Sequence, residues 1–411
     1  MAQLNITLNQ QEILQLLSEN SNEAFKTLLQ ESLNSILKAE SSEQLKAEPY
    51  ERSAERTDNR NGSRERILNT RIGSIILTVP RHRNQPFKSM IFENYTRSEA
   101  ALVSTMTEMV VNGVSTRKVS KVVETLCGTS FSKSTVSELC RELDDEVNKF
   151  RNRPLTADYP FLYVDATYFK TRENHRTVSK ALFIAMAINR RGHYEIIGFN
   201  TYDRESGDTW FLFLQSLKSR GLTGLQLVTS DAHDGIISGL SRVFPEVPWQ
   251  RCQYHFTKNI LDKTPQKYQE GLRSELQTMF NSSDLNAAIK KRDSILEDYS
   301  DVAPAAMECL DRGFDDSMTV MSIPKSLQKL MRTSNHIERL NKELKRRSNV
   351  IGVFPNETSI IRLMGAVLME LNENYEIKSR PLFYQPVIRE LAALHDKLAL
   401  IAQQQQQSLV A

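Results

Sequence analysis

Long hydrophobic runs, cysteine pairs and a strong net charge are all missing from this chain. No apolar run approaches the roughly 20 residues that span a bilayer, and the first residues lack the order of a secretory signal. We therefore expect a cytoplasmic protein with no membrane partner. The four cysteines include no CxxC pair, which argues against a disulfide framework. Cys252 and His255 have zinc-like spacing, but no second pair completes a structural zinc site.

Charge is nearly balanced over the whole chain but not along it. The formal net charge is +3. Residues 51–97 carry ten Lys and Arg against five Asp and Glu, and residues 325–347 carry eight against two. Local basic stretches in a nearly neutral protein indicate that a polyanion binds at particular places, although a solvated basic face explains either stretch alone equally well.

The first hundred residues predict a helical segment followed by a basic one. Residues 1–45 carry apolar side chains at helical spacing and predict amphipathic helices that pack on the body or on a second subunit. Residues 46–97 predict a basic loop and strand segment. Within it, residues 59–64 indicate an exposed loop, and residues 71–81 alternate like a strand that Pro80 ends.

Residues 98–152 predict a helical DNA-binding domain with a helix-turn-helix. Ser98, Ser115 and Ser132 are placed to cap three helices, and Gly113 ends the first. In a helix-turn-helix the second helix enters the major groove with its N-terminal residues facing the bases. Any three-helix bundle has a similar pattern, so the prediction rests on local pattern alone. The predicted DNA-contacting residues are Lys133, Ser134, Thr135 and Ser137.

From Pro160 the pattern changes to an α/β core. Three strands in hairpin succession precede a helix, a strand, a helix and a fifth strand, which is the order of a ribonuclease-H-like sheet and is compatible with several α/β folds. Residues 256–330 lack a convincing strand and predict an all-helical insertion. The catalytic domain is therefore predicted at residues 153–255 and 331–350, with a C-terminal helical region at residues 351–411.

Two aspartates follow hydrophobic runs in this core. Asp165 comes after Phe161-Leu-Tyr-Val, and Asp231 comes after Leu225-Gln-Leu-Val-Thr-Ser. A charged group at or near a strand end is exposed, paired or bound to metal, and a helix cap is the ordinary explanation for one such residue. In the ribonuclease-H-like order the first and fourth strands are neighbours, which predicts that the two carboxylates meet. Oxygen ligands favour Mg²⁺, with Mn²⁺ as a substitute.

A third carboxylate lies in the basic stretch near the end of the core. On a helix that starts near Ser334, Glu338 shares a face with Asn341 or Lys342 and with Lys345, whereas Glu343 is rotated away. Helix geometry therefore selects Glu338 as the metal ligand. The candidate phosphate contacts on this helix are Arg339, Lys342, Lys345 and Arg346.

The motifs together resemble those of mutator-type transposases of bacterial insertion sequences. The shared elements are Asp165, Asp231, Cys252-x-x-His255, Ser334-Asn-His-Ile-Glu-Arg-Leu-Asn-Lys-Glu-Leu-Lys-Arg-Arg, Asn61-Gly-Ser-Arg, residues 73–80, residues 113–117 and Gly207-Asp-Thr-Trp. The resemblance covers roughly residues 50 to 375. It implies a DDE catalytic domain with Asp165, Asp231 and Glu338 as its metal triad, and an all-helical insertion before the glutamate. It also implies that His255 lies near the active site.

The expected chemistry is metal-dependent cleavage and joining of double-stranded DNA. Two Mg²⁺ ions held by the triad would support hydrolysis at the transposon end and then strand transfer, and His255 could orient the scissile phosphate or a leaving group. We expect a homodimer in the DNA complex, associated with the nucleoid when bound. Two alternatives remain: a nuclease without strand transfer, and a DNA-binding regulator with an inactive catalytic domain.

Overall fold

The computed structural model describes residues 21–51, 54–70, 72–89, 100–127, 131–378 and 380–410. Contacts divide the chain into two compact units, Met1–Glu142 and Leu143–Ala411. Parts of the predicted N-terminal helices, the cap at Ser98 and the turn at residues 128–130 lie outside the described residues.

A long helix and a two-stranded sheet form the first part of unit one. The elements are α1 (Ser21–Leu45), β1 (Arg60–Thr70) and β2 (Gly73–His82). The predicted loop at residues 59–64 was wrong, because β1 pairs antiparallel with β2 along most of its length. That segment is polar because most of its side chains face solvent, while Leu37 of α1 packs on Ile75 and Leu77 of β2.

Three short helices form the second part of unit one. They are α2 (Ala100–Val111), α3 (Thr116–Cys127) and α4 (Lys133–Leu139). Gly113, with φ of 86°, follows the end of α2, as predicted. Ser132 caps α4 by accepting a hydrogen bond from the Thr135 N–H. The helices share a core that includes Met106, Val119 and Val136.

Unit two is built on a five-stranded mixed sheet. Its strands are β3 (Phe161–Glu173), β4 (Arg176–Ile188), β5 (Tyr194–Tyr202), β6 (Leu227–Ser230) and β7 (Trp249–Arg251). Their order is β5-β4-β3-β6-β7, so the first and fourth strands of the core are neighbours, as predicted. The pairs β3–β4 and β4–β5 are antiparallel, whereas β3–β6 and β6–β7 are parallel.

Two tight turns set the register of the antiparallel strands. Asn174 and His175 join β3 to β4 with positive φ at both residues, as in the two-residue turns whose twist matches that of the strands. Because of this turn, β3 and β4 are both longer than the sequence predicted. The predicted turn before β5 is confirmed: Gly192 has φ of 81° and its N–H donates to the Asn189 carbonyl.

Helices α5 (Leu143–Asn152), α6 (Gly207–Ser219) and α7 (Asp234–Val243) belong to the same unit. Ser206 and Thr209 form a capping box at the start of α6. A buried stack of Phe183 on Trp210, with ring centroids 3.9 Å apart, joins β4 to α6. The predicted domain of residues 98–152 thus includes α5, which lies in the second compact unit; the domain boundaries themselves stay predictions.

The stretch between β7 and the predicted glutamate helix is helical and has its own apolar core. Its helices are α8 (Gln253–Asp262), α9 (Gln266–Phe280), α10 (Leu285–Tyr299), α11 (Pro304–Met318) and α12 (Lys325–Met331). Phe256, Leu276 and Phe314 are among the residues buried between them. All of residues 252–334 are described, and none of them lies in a strand.

Four further helices complete the chain: α13 (Asn335–Ser348), α14 (Glu357–Lys378), α15 (Gln385–Ala392) and α16 (His395–Val410). The glutamine tract at residues 403–407 is part of α16. Gln405 is hydrogen-bonded to the backbone N–H and carbonyl of Trp249 on β7, so tertiary contacts hold the tract in place. Among the described residues, no helix is long and apolar enough to cross a membrane.

Candidate active site

Parallel pairing of β3 with β6 brings the two predicted aspartates to one level of the sheet. The last matched pair is Tyr163 with Thr229. Asp165 and Asp231 each lie two residues further along, on the same face as those partners because side chains alternate along a strand. One detail of the prediction was wrong: Asp165 is inside β3, not at its end. The strand continues because β4 pairs with it beyond the point where β6 stops.

The same face of the sheet anchors the segment that leads into α13. The Tyr163 hydroxyl donates to the Leu330 carbonyl (2.9 Å), and the Thr229 hydroxyl donates to the Met331 carbonyl (2.9 Å). The chain then continues through Ser334 into α13, which carries Glu338. These two hydrogen bonds from β3 and β6 therefore hold in place the segment that leads into α13, the helix that carries Glu338.

His255 lies between the second aspartate and the glutamate. Its Nδ1 contacts the Asp231 carboxylate closely, and its Nε2 is 3.8 Å from Glu338 Oε1. The imidazole is positioned by α8, which starts immediately after Cys252. The Cys252 N–H donates to the Ser230 carbonyl (2.9 Å), which joins α8 to the end of β6. The structure thus brings His255 to two of the three predicted ligands.

A serine and an asparagine hold the carboxylates from α13. The Ser334 hydroxyl is 3.0 Å from Glu338 Oε1 and 3.2 Å from Cys252 Sγ. The Asn341 side-chain amide donates to Asp165 Oδ2 (2.6 Å), and Asn341 Oδ1 is buried without a hydrogen-bond partner. Because Glu338 and Asn341 are three residues apart on a helix, they share one face.

Burial and like charge perturb the ionisation of this cluster. Burial and the neighbouring Asp231 together raise the pKa of Asp165 to about 7. The hydrogen-bonding contact with Asp231 raises the pKa of His255 to about 11. At neutral pH the imidazole is therefore protonated and supplies positive charge between Asp231 and Glu338. A carboxyl group whose pKa is raised by burial and by a like-charged neighbour is a candidate functional group.

Glu205 is a fourth acidic residue of the cluster that sequence reasoning missed. Its side chain is 14% exposed and lies 3.9 Å from His233 Nε2. It contributes to the raised pKa of Asp165 and accepts a hydrogen bond from the Tyr168 hydroxyl. Glu205 is in the loop after β5, where no hydrophobic run points to it. Its nearness to Gly207-Asp-Thr-Trp was the available signal.

The donor atoms suit a hard divalent cation better than zinc. Ligand atoms of Asp231, Cys252 and His255 all lie within 4.8 Å of one another and could hold an ion together. The Cys252 sulfur, however, is fully buried and accepts hydrogen bonds from the Ser334 N–H and hydroxyl. The remaining donors around Asp165 are carboxylate and amide oxygens, which Mg²⁺ and Mn²⁺ prefer. The residues present therefore fit such an ion.

Two of the four predicted cations on α13 make contacts with other groups of the protein. Arg339 and Lys342 are exposed. Lys345 donates to the Tyr168 carbonyl and lies over the Phe169 ring, and Arg346 is paired with Glu343. The structure therefore engages half of the predicted phosphate contacts within the protein.

The residues predicted on α4 are less fully described. Ser134 and Ser137 are exposed, and Thr135 is half-buried. The hydroxyls of Ser134 and Thr135 lie within hydrogen-bond distance of Ser132 Oγ, at 2.7 and 2.8 Å. For Lys133 the backbone at the start of α4 is described, but the side chain is outside the described part.

Comparison with known proteins places the chain in a family. The family described as "Transposase, Mutator family" matches residues 1–378. The transposase for insertion sequence element IS256 in transposon Tn4001 of Staphylococcus aureus is 41% identical over 384 residues, which are 92% of this chain and 98% of that protein. The transposase for insertion sequence element ISRM5 of Rhizobium meliloti (strain 1021) is 38% identical over 378 residues, 92% of this chain and 93% of the other.

A solved structure is also similar, but weakly. It is described as "CryoEM structure of simian T-cell lymphotropic virus intasome in complex with PP2A regulatory subunit B56 gamma", and the similarity covers 44% of this chain and 69% of that one. At 10% identity and a TM-score of 0.17, it supports no conclusion. The family match and the insertion-sequence relatives cover nearly the full length: the chain belongs to the Mutator family of transposases.

Proposed function

We propose that this transposase cuts and joins DNA with the help of Mg²⁺ held by Asp165, Asp231 and Glu338. The observation that carries the proposal is the β3–β6 register, which puts the two aspartates on one face beside the helix that bears the glutamate. The strand order supports a ribonuclease-H-like core. The unpaired Oδ1 of Asn341 is a further oxygen available to a cation or its water shell.

The chain's own residues have distinct parts in this proposal. A divalent cation would polarise the scissile phosphate and stabilise the attacking and leaving oxygens. The Asn341 side-chain amide donates to Asp165 Oδ2, and the Ala166 N–H donates to Asp165 Oδ1, so both contacts orient this carboxylate. Protonated His255 can hold a phosphate oxygen or donate a proton to a leaving oxygen from Nε2. Arg339 and Lys342 would bind the DNA backbone next to this centre.

We further propose that α3 and α4 dock on the terminal inverted repeats of the element. The Ser132 cap and the shared apolar core support a stable helical unit that presents Ser134 and Ser137 to solvent. Together with Lys133 and Thr135, these side chains would reach base edges in the major groove. We also propose a homodimer in the DNA complex, because the element has two ends and each subunit would act on one of them.

Replacement of Asp231 by Asn tests the metal proposal. The substrate is a duplex with the inverted repeats that flank this reading frame, and Asp234→Asn, three residues further on and exposed, is the matched control. We expect Asp231→Asn to retain DNA binding but to lose cleavage and joining by at least about a thousandfold. The control should keep both activities.

The other outcomes of this experiment separate the alternatives. Full cleavage and joining by Asp231→Asn would overturn the metal role. Binding without cleavage by the wild type would favour a regulator, and cleavage without joining would favour a nuclease.

A further inference from the structure

A cavity of about 660 Å³ opens between α8, α9 and the segment before α13, and its lining includes Tyr254, the residue before His255. Its volume exceeds that of a single nucleobase and its sugar. Tyr254 and Lys258, four residues apart on one face of α8, form one wall. Arg273 lies on the α9 wall, and Arg332 lies on the wall nearest α13. No role in the proposed chemistry uses these residues.

The cavity is joined rigidly to the candidate active site. Tyr254 precedes His255 on α8, so neighbouring residues of one helix face the cavity and the carboxylates. The Gln253 N–H donates to the Arg332 carbonyl (2.9 Å), which ties α8 to the segment that enters α13. Ser334, two residues after Arg332, holds Glu338. A ligand in the cavity would therefore lie beside the scissile phosphate.

Positive charge and an unsatisfied donor indicate an anionic ligand. Lys258, Arg273 and Arg332 line the cavity against one carboxylate, Asp262. Arg332 Nη1 donates to Asn281 Oδ1 (2.8 Å), which fixes the guanidinium. Arg332 Nε is buried without a hydrogen-bond partner. A buried donor without an acceptor costs free energy, and a phosphate oxygen would remove that cost.

Aromatic and apolar surface in the same cavity indicates a base as well as a phosphate. The Tyr254 side chain is 54% exposed, although it is a large ring. Leu261 and Phe280 provide a buried apolar floor, and Gln277 adds an exposed side-chain amide. Cations combined with a stacking ring are the means by which proteins bind unpaired nucleotides, since every base has a π-face.

We propose that this cavity binds one unpaired nucleotide of the DNA end, stacked on Tyr254 with its phosphate against Arg332 and Lys258. The proposal rests on the proposed DNA-cleaving function. It assigns to the helical stretch between β7 and α13 a role in opening the end of the duplex. A nucleotide outside the duplex leaves its flanking phosphate accessible to the carboxylates.

The test uses the full chain with Ca²⁺ in place of Mg²⁺ and two DNA hairpins that carry the inverted repeat flanking this reading frame. One hairpin is fully paired, and the other carries three unpaired nucleotides at its end. Both have 2-aminopurine at the terminal position. We expect at least fivefold tighter binding of the unpaired hairpin and quenching of its fluorescence by stacking. Tyr254→Ala should abolish the quenching and the preference, whereas Tyr254→Phe should retain both.

Two further variants complete the test. Tyr384, 73% exposed and absent from the cavity lining, provides the control Tyr384→Ala, which should behave as the wild type. Arg332→Gln should weaken binding of the unpaired hairpin more than that of the paired one. Equal binding of the two hairpins, or unchanged quenching in Tyr254→Ala, would overturn the cavity proposal and leave DNA binding intact. Failure to bind either hairpin would overturn the proposed function too.

Discussion

Asp165 is the residue at which the proposed function and the stability of the fold oppose each other. Its buried carboxylate lies beside Asp231, and its pKa rises from 3.8 to about 7. Between those two pH values the folded chain retains a proton that the unfolded chain has released. The stability of the metal-free protein therefore falls as pH rises from about 4 to about 7. Active-site carboxylates often carry such a cost.

Asp165→Asn removes this ionisation and should stabilise the metal-free protein. We expect its melting temperature in EDTA to equal that of the wild type near pH 4 and to exceed it near pH 8. The corresponding gain in the free energy of unfolding at pH 8 is a few kcal/mol at most. Added Mg²⁺ should raise the melting temperature of the wild type alone. Thermal unfolding at several pH values measures both effects. Parallel pH curves for the two proteins would contradict the assigned burial.

The stability contribution of His255 also falls as pH rises, but here folding stabilises the charged form, whereas folding destabilises the charged form of Asp165. The pKa of His255 is raised to about 11, so the stability it contributes is complete below its usual pKa of 6.5 and is lost as pH rises toward 11. The sequence indicated that His255 was near the site only through the family resemblance. Its contact with Asp231 depends on the junction of β6 with α8, which no local pattern determines.

At the scale of elements, the two glutamates of α13 have different partners, as expected from their positions around the helix. Glu338 faces His255 and Ser334, whereas Glu343 is paired with Arg346 and Arg347. These ion pairs lower the pKa of Glu343 to about 2. One helix thus carries the carboxylate of the proposed metal site on one face and an ion-paired carboxylate on another.

A pair of matched variants on α13 separates these two functions. We expect Glu338→Gln to weaken Mn²⁺ binding by more than about tenfold, since a ligand is lost. Glu343→Gln should leave Mn²⁺ affinity unchanged and reduce the unfolding free energy by about 1 kcal/mol, since two arginines lose a partner. Calorimetric titration and urea denaturation measure the two quantities. Loss of Mn²⁺ affinity in Glu343→Gln would contradict the assignment.

Other elements show where local pattern fails. The first residues of β1 are polar and were predicted as part of a loop at residues 59–64, but pairing with β2 supplies a partner for their backbone. The glutamine tract of α16 is ordered through Gln405, which binds the distant backbone of Trp249. In both cases the stabilising partner lies elsewhere in the sequence.

At the scale of the whole molecule, the net charge of +3 does not indicate where DNA would bind, because the basic residues are concentrated in a few stretches. Arg339 and Lys342 are exposed beside the carboxylates, where bound phosphate would release counterions. We expect the plot of log affinity against log salt for a mixed-sequence duplex to become shallower by about one in Lys342→Gln. Lys397→Gln, an exposed lysine on α16, is the control. Identical slopes for Lys342→Gln and the wild type would contradict a contact between Lys342 and a DNA phosphate.

The amino-acid sequence by itself determined the local features: the buried strands, the turn at Gly192, the cap at Ser132 and the helix phase of Glu338. Each depends on residues within a few positions, where backbone geometry and side-chain spacing act directly. The predicted strand order also indicated that Asp165 and Asp231 meet, as the β3–β6 pairing shows. The charge on His255, the approach of Glu205 and the cavity beside Tyr254 were decided by the tertiary structure alone. They depend on strand register and helix junctions between distant segments, because only the packed chain brings those groups within reach of one another.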